Sequence, residues 1–275
     1  MKTAIQTLGL LALTTALSAG CAKKKADASG EAPTAAKTTD GMTEARQSET
    51  EKGSSKPELS TTTSLDPSKA KARGKAPLVT ERGFPLHDVS SAPEATMPAF
   101  EFGMKNFGFV SNLVAVMSDS PALLNSYFVL QLNLQRIGTL SPPEDNIVQM
   151  SIAMENKCQY CVAGHTLAGK VFFKSPDEQL EAIRTGADLP EAKFNALRDF
   201  SLQVYESQGR VTDAQLNTFF DAGYTRAQAL DVVANVAAKV MSNYANQLAR
   251  TPLDKQIQPM AKGLPFAEAR KALAN

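Results

Sequence analysis

Glu155-Asn156-Lys157-Cys158-Gln159-Tyr160-Cys161-Val162-Ala163-Gly164-His165 holds two of the three cysteines and one of the two histidines of the chain. On a helix, Cys161 follows Cys158 by three positions and His165 follows Cys161 by four. Those are neighbour spacings, so both sulfurs and the imidazole share one face. Asn156 reads as the N-cap, which places both cysteines in the first turns of the helix. Unpaired backbone N–H groups there stabilise negative charge, and Lys157 adds a formal positive one, so thiolate is favoured over thiol. A dithiol with a lowered pKa beside an imidazole is a redox or nucleophilic site.

Three rival readings compete with that one. A c-type haem attachment needs histidine directly after the second cysteine, and Val162 stands there. A structural zinc site needs about four ligands. Cys158, Cys161 and His165 supply three, and the other histidine, His87, lies far upstream. A disulfide between residues three apart closes so small a loop that it constrains the unfolded chain little, which suits a redox switch better than a staple. No metal and no cofactor is therefore expected.

Outward from the motif, helix punctuation recurs. Ser120-Pro121 opens a helix from Ala122 to about Ile137. Ser141-Pro142-Pro143-Glu144 is a capping box opening a helix to about Glu155, and Ser175-Pro176-Asp177-Glu178 repeats the device. Thr212 with Gln215 and Thr225 with Gln228 are further boxes. Apolar residues fall between them at three-and-four spacing: Leu123, Tyr127, Leu130 and Leu134, then Leu230, Val233, Val236, Ala237 and Val240. Nothing alternates with period two. The expectation is an all-α domain of roughly eight helices over 83–257, with 258–275 as a polar tail. Met97, Met104, Met117, Met150 and Met154 read as core filler, and His87 as a surface or loop residue.

The N-terminal part differs in kind. Residues 1–21 read as a lipoprotein signal peptide: Lys2, an apolar run from Ala4 to Leu17, then Leu17-Ser18-Ala19-Gly20-Cys21. Small residues before Cys21 match a bacterial lipidation signal, so Cys21 is expected to carry the lipid that anchors the chain to a membrane. Ala22 after it fits an outer-membrane address facing the periplasm in a Gram-negative cell. Residues 22–82 are rich in Lys, Ala, Ser, Thr, Glu, Gly and Pro and poor in large apolar residues, and read as a disordered tether. The net charge of +1 gives no reason to expect nucleic acid. With Cys21 assigned to lipid, Cys158 and Cys161 form a self-contained pair.

Cys-x-x-Cys-x-x-x-His in an all-helical chain resembles the alkylhydroperoxidase D-like, or carboxymuconolactone decarboxylase, family. The likeness extends to Phe107-Gly108-Phe109-Val110-Ser111-Asn112-Leu113, Ser120-Pro121-Ala122-Leu123-Leu124, Ala222-Gly223-Tyr224-Thr225 and Ser242-Asn243-Tyr244, running into Thr251-Pro252-Leu253-Asp254. It implies a helical bundle and a peroxidase or thiol–disulfide oxidoreductase. One thiolate attacks a peroxide or disulfide substrate, the other resolves the product as a Cys158–Cys161 disulfide, and His165 moves the proton. An extracytoplasmic dithiol would restore the pair, and assembly as a homo-oligomer is implied. The decarboxylases proper lack the cysteine pair. The family's histidine is partnered by a glutamate twelve residues before the first cysteine, and Asn146 stands there. Asparagine holds an imidazole by a hydrogen bond but accepts no proton as a carboxylate does, so weakened peroxidase activity is expected. Glu144 stays open as either proton relay or helix cap. From other classes, a non-catalytic surface lipoprotein scaffold and a metal-binding module also remain open.

Overall fold

The computed structural model describes residues 65–266, so Cys21, the signal segment and most of the tether lie outside the described residues. Nine α-helices occur among them: α1 Met97–Phe107, α2 Asn112–Met117, α3 Pro121–Ile137, α4 Pro142–Glu155, α5 Gln159–Ala168, α6 Asp177–Thr185, α7 Ala192–Ser207, α8 Asp213–Asp221 and α9 Arg226–Ala249. A π-helical turn, Gly169–Phe173, continues α5. The strands described are β1 Leu78–Val79 and β2 Pro85–Leu86, antiparallel with Leu78 opposite Leu86. No helix among the described residues is long and apolar enough to cross a membrane.

The helix starts follow the local chemistry. Ser120 Oγ accepts the Leu123 N–H ahead of α3, and the Ser141/Glu144, Thr212/Gln215 and Thr225/Gln228 capping boxes all form. Ser175 departs from the expected pattern. Pro176 occupies the N-cap of α6, and no side chain caps it. The Ser175 hydroxyl instead accepts a hydrogen bond from Asn146 Nδ2 at 3.1 Å.

Helix α4 is the axis of the bundle. Every residue from Glu144 to Ala153 is buried, and α5, α6, α7 and α9 pack around it. A helix enclosed on all sides must satisfy its polar side chains internally. Gln149 does so by exchanging amide hydrogen bonds with Gln131 of α3 at 2.9 and 3.1 Å, and by donating to Asn235 Oδ1 of α9 at 2.7 Å. Asn235 in turn donates to Asp145 Oδ1 at 2.8 Å. Burial pushes the Asp145 carboxyl up to about 7.

This polar seam corrects the expected face of α9. Leu230 and Val233 are 71% and 49% exposed. The buried face carries Val232, Asn235, Ala238, Lys239, Ser242, Asn243 and Asn246. The apolar period was present, but the interior it faces at α9 is polar, so the helix turns its polar side inward. Met104 likewise is 52% exposed rather than core, whereas Met117 and Met150 are buried. His87 is buried in a loop, its ring between Ser91 Oγ and Asp119 Oδ1, each at 3.2 Å.

Both ends of the domain reach further than composition suggests. Residues 65–82 fall in the stretch read as tether, yet Arg73 Nε donates to Ala92 O at 2.7 Å and β1 pairs with β2. At the other end Ile257, Ala261 and Leu264 are buried, and Arg184 donates to the carbonyls of Met260 and Lys262 at 2.6 and 2.7 Å. This C-terminal segment lies along α5.

Candidate active site

The junction between α4 and α5 positions the cysteines. Asn156 closes α4 instead of opening α5. Its Nδ2 donates to Ile152 O at 3.0 Å, and its Oδ1 accepts from the Tyr205 hydroxyl at 2.7 Å. Lys157 then takes a left-handed conformation, φ 52°, and the chain turns. Cys158 becomes the N-cap of α5, outside the helix, with Cys161 as its third residue. The Cys158 sulfur accepts the Cys161 N–H at 3.3 Å, as a serine N-cap oxygen would. The two cysteines are joined in a disulfide with Cα atoms 5.2 Å apart.

His165 sits one turn beyond Cys161, buried, with both ring nitrogens engaged. Asn146 Oδ1 lies 2.9 Å from Nδ1, and Lys239 Nζ lies 2.8 Å from Nε2. The Asn146 amide is oriented by Ser175, to which its Nδ2 donates. Its oxygen therefore faces the imidazole, so Nδ1 carries the hydrogen and Nε2 presents a lone pair to the lysine. The result is a polar chain from α9 through α5 and α4 to Ser175. Burial, and then the charge of Lys239, hold the His165 pKa well below its ordinary value. Burial lowers the Lys239 amine to about 7. Gly169 makes room for this arrangement: a Cβ there would lie 2.8 Å from Asn146 Nδ2 and 2.7 Å from Leu180 Cδ2.

Two further groups reach the disulfide's surroundings. Asn246 of α9 donates from Nδ2 to Cys161 Sγ at 3.3 Å. Tyr160, beside Cys161, donates its hydroxyl to Asp254 and accepts from the Leu113 N–H at 3.0 Å. Burial and the Asp254 carboxylate push the Tyr160 phenol well up, so it stays protonated.

Cys161, His165 and Lys239 line a cavity of about 210 Å³. The rest of its lining is mostly apolar and largely aromatic, including Phe102, Phe107, Phe109, Phe128, Phe172 and Phe173, with Gln131, Gln135 and Asp254 among its polar members. Cys158 does not line this cavity. It lines a separate outer cleft with Lys157, Arg82 and Arg250.

Of the residues singled out in the sequence, Cys158, Cys161, His165 and Asn146 are brought together. Glu144 is not part of the cluster. Its carboxylate accepts the Ser141 N–H at 2.9 Å and the Ser141 hydroxyl at 2.7 Å, and pairs with Lys193 at 3.3 Å. Tyr244, part of the stretch that carries the family likeness, is half exposed and does not line this cavity. Lys239 was missed. The signal for it was present: from Val232 to Met241 it is the one charged residue in an otherwise apolar or neutral run.

No protein-family profile matches the sequence, and no curated protein is recognisably similar to it. Solved structures are similar in fold. An alkylhydroperoxidase AhpD core described as an uncharacterized peroxidase-related protein, from Ralstonia eutropha, superposes with TM-score 0.59 at 20% identity over 68% of this chain and 98% of its own. An uncharacterized peroxidase-related protein from a Silicibacter species gives 0.55 at 18% identity over 69% and 99%. The debrominase Bmp8, solved with 2,3,4-tribromopyrrole, gives 0.55 at 16% identity over 70% and 100%. The described domain therefore has the all-α alkylhydroperoxidase D-like fold.

Proposed function

We propose that the protein is a thiol–disulfide oxidoreductase that reduces organic hydroperoxides through Cys158 and Cys161. One observation carries the reading: Cys161, half of a disulfide between residues three apart, opens on a largely apolar cavity that the His165–Lys239 pair also lines. The fold shared with peroxidase-related proteins supports it.

In the reduced enzyme the Cys161 thiolate attacks the distal peroxide oxygen. The O–O bond breaks, leaving a sulfenic acid on Cys161 and an alkoxide. Lys239, with a pKa near 7, protonates the alkoxide to the alcohol. The Cys158 thiolate then displaces hydroxide from the sulfenic acid, forming the disulfide, and the hydroxide leaves as water with a second proton. An external dithiol supplies the two electrons that restore the pair. His165 holds the lysine by its Nε2 lone pair, so the proton carrier is the pair and not the imidazole alone. Asn146 fixes the tautomer that makes this possible. Reduced protein should consume cumene hydroperoxide with one disulfide formed per peroxide. No consumption above that of free cysteine would overturn the reading.

The aromatic walls favour one second reading. A brominated aromatic ring would fit against them, and the Bmp8 structure holds such a ring in the same fold. Reductive debromination would consume one dithiol per carbon–bromine bond: one thiol proton ends on the carbon, the other is released with bromide, and the two sulfurs form the disulfide. Bromide release from a bromopyrrole, with no peroxide consumption, would select this reading over the first.

The same proposal places the protein in the cell envelope, anchored through lipid on Cys21. Incorporation of labelled palmitate that is lost in Cys21→Ser tests this. The exposed stripe of Leu230, Val233, Ala237, Tyr244 and Leu248 along α9 supports assembly with a second copy. Sedimentation of the wild type against Leu230→Glu tests it, a monomer in both cases counting against it.

A further inference from the structure

The disulfide has two faces, and they differ in chemistry. Cys161 lines the apolar cavity, whereas Cys158 lines the outer cleft of about 570 Å³. Among the described residues, the charged side chains lining that cleft are Arg82, Lys157 and Arg250, all positive, with no carboxylate. Glu81 stands at its edge, paired with Arg250 at 3.1 Å. Arg82 donates to Leu248 O at 3.1 Å. Lys157 is exposed directly before Cys158, held there by the left-handed turn. A cleft of this size suits a small molecule.

We propose that this cleft is the entry site for the reductant, and that it selects a low-molecular-weight thiol carrying carboxylates. The proposal rests on the redox reading of the disulfide. The incoming thiolate attacks Cys158 Sγ, forming a mixed disulfide, and the Cys158–Cys161 bond breaks. Cys161 leaves as a thiolate into the site where Asn246 Nδ2 already donates to its sulfur. A second molecule of the thiol attacks the mixed disulfide, releasing its own disulfide and the Cys158 thiolate. Two electrons pass to the protein, and the two thiol protons end on Cys158 and Cys161. Substrate and reductant thus approach opposite ends of one bond without sharing a pocket.

The test measures reduction of the oxidised protein by mercaptosuccinate, mercaptoethanol and cysteamine. Each rate is divided by that thiol's rate on hydroxyethyl disulfide at the same pH and ionic strength. At low salt the normalised rate should rise about tenfold or more from the cationic to the dianionic thiol, and the gap should shrink as salt is added. Lys157→Glu should slow mercaptosuccinate more than mercaptoethanol, and mercaptoethanol more than cysteamine, and so reduce or invert that order, and Lys157→Gln should fall between. Lys157 has an exposed side chain, so its variants test the charge with the fold intact; Arg82→Gln, read with a thermal melt, repeats the test at the second cation. Equal normalised rates for the three thiols, or a charge order unchanged in Lys157→Glu, would overturn the proposal. Peroxide consumption driven by neutral dithiothreitol reports the redox reading separately, so a failure of the cleft leaves that assay positive. A failure of the redox reading silences that assay whatever the thiol charge.

Discussion

Lys239 Nζ stands 2.8 Å from His165 Nε2, both buried, on helices that meet only in the tertiary fold. A lysine facing an imidazole is an unusual partner, because two cations side by side repel. The pair is sustainable when one member is neutral, and burial holds His165 in that state well below its ordinary pKa. The proton then resides on the lysine or nowhere in the pair.

Lys239→Met is expected to stabilise the protein and disable it. The unfolded lysine titrates near its ordinary value of 10.5, and the folded one at about 7. Between these values the unfolded chain binds the extra proton, so stability rises with pH across that window and is lowest below it. The full effect is on the order of 2–5 kcal/mol. Urea unfolding at pH 6 and pH 9 should show the rise in wild type and lose most of it in Lys239→Met. The variant's peroxide rate should drop, with its thiol content unchanged.

Asn146 decides how basic the imidazole is. In Asn146→Asp a carboxylate would face Nδ1–H in place of an amide oxygen, raising the His165 pKa by about 1–3 units. NMR titration of the imidazole checks the shift, and the peroxide rate should increase with it. Asn146→Leu leaves the Nδ1–H and the Ser175 hydroxyl without their partner and should cost about 1–3 kcal/mol. An unshifted His165 in Asn146→Asp would show that Asn146 has no electrostatic hold on the ring.

The two sulfurs should fail differently. Cys161→Ser removes the sulfur on the cavity and should abolish peroxide consumption. Cys158→Ser should still react once, stopping at a sulfenic acid on Cys161 that dimedone traps and mass spectrometry locates. Trapping on Cys158 in Cys161→Ser instead would reverse the assignment.

Gly164 lines the cavity on α5, and a Cβ placed there meets nothing within 4 Å. Gly164→Ala should stabilise the helix by about 0.5–1 kcal/mol. Gly164→Leu should fill part of the space and lower kcat/KM for cumene hydroperoxide more than for hydrogen peroxide. Equal losses for both substrates would place the organic group outside this cavity.

Much of this was legible in one dimension because it depends on local chemistry. Capping boxes at Ser141, Thr212 and Thr225 mark helix starts through hydrogen bonds that span three residues. The reading of Glu144 as a cap followed from the same short range. The spacing of Cys161 and His165 sets one turn of helix, and that of Cys158 and Cys161 a disulfide across the helix start. Where local reading failed, a longer-range partner had intervened. Asn156 looks like a cap for α5 until Tyr205 and Ile152 claim it, and Ser175 looks like a cap for α6 until Asn146 does.

By itself the sequence determined the helical class, the helix starts at Ser120, Ser141, Thr212 and Thr225, and the thiol–imidazole motif, all of which depend on residues within a few positions of one another. Only the tertiary structure decided which side of α9 faces inward and therefore that Lys239 meets His165. It also decided that Cys161 faces an apolar cavity while Cys158 faces a basic cleft. Helix periodicity shows which residues share a face, but the chemistry of what that face meets is supplied by segments far away in the chain. Here α4 offers α9 the buried Gln149 amide and Asp145 carboxyl, so burial selects the polar side and carries a lysine into the site.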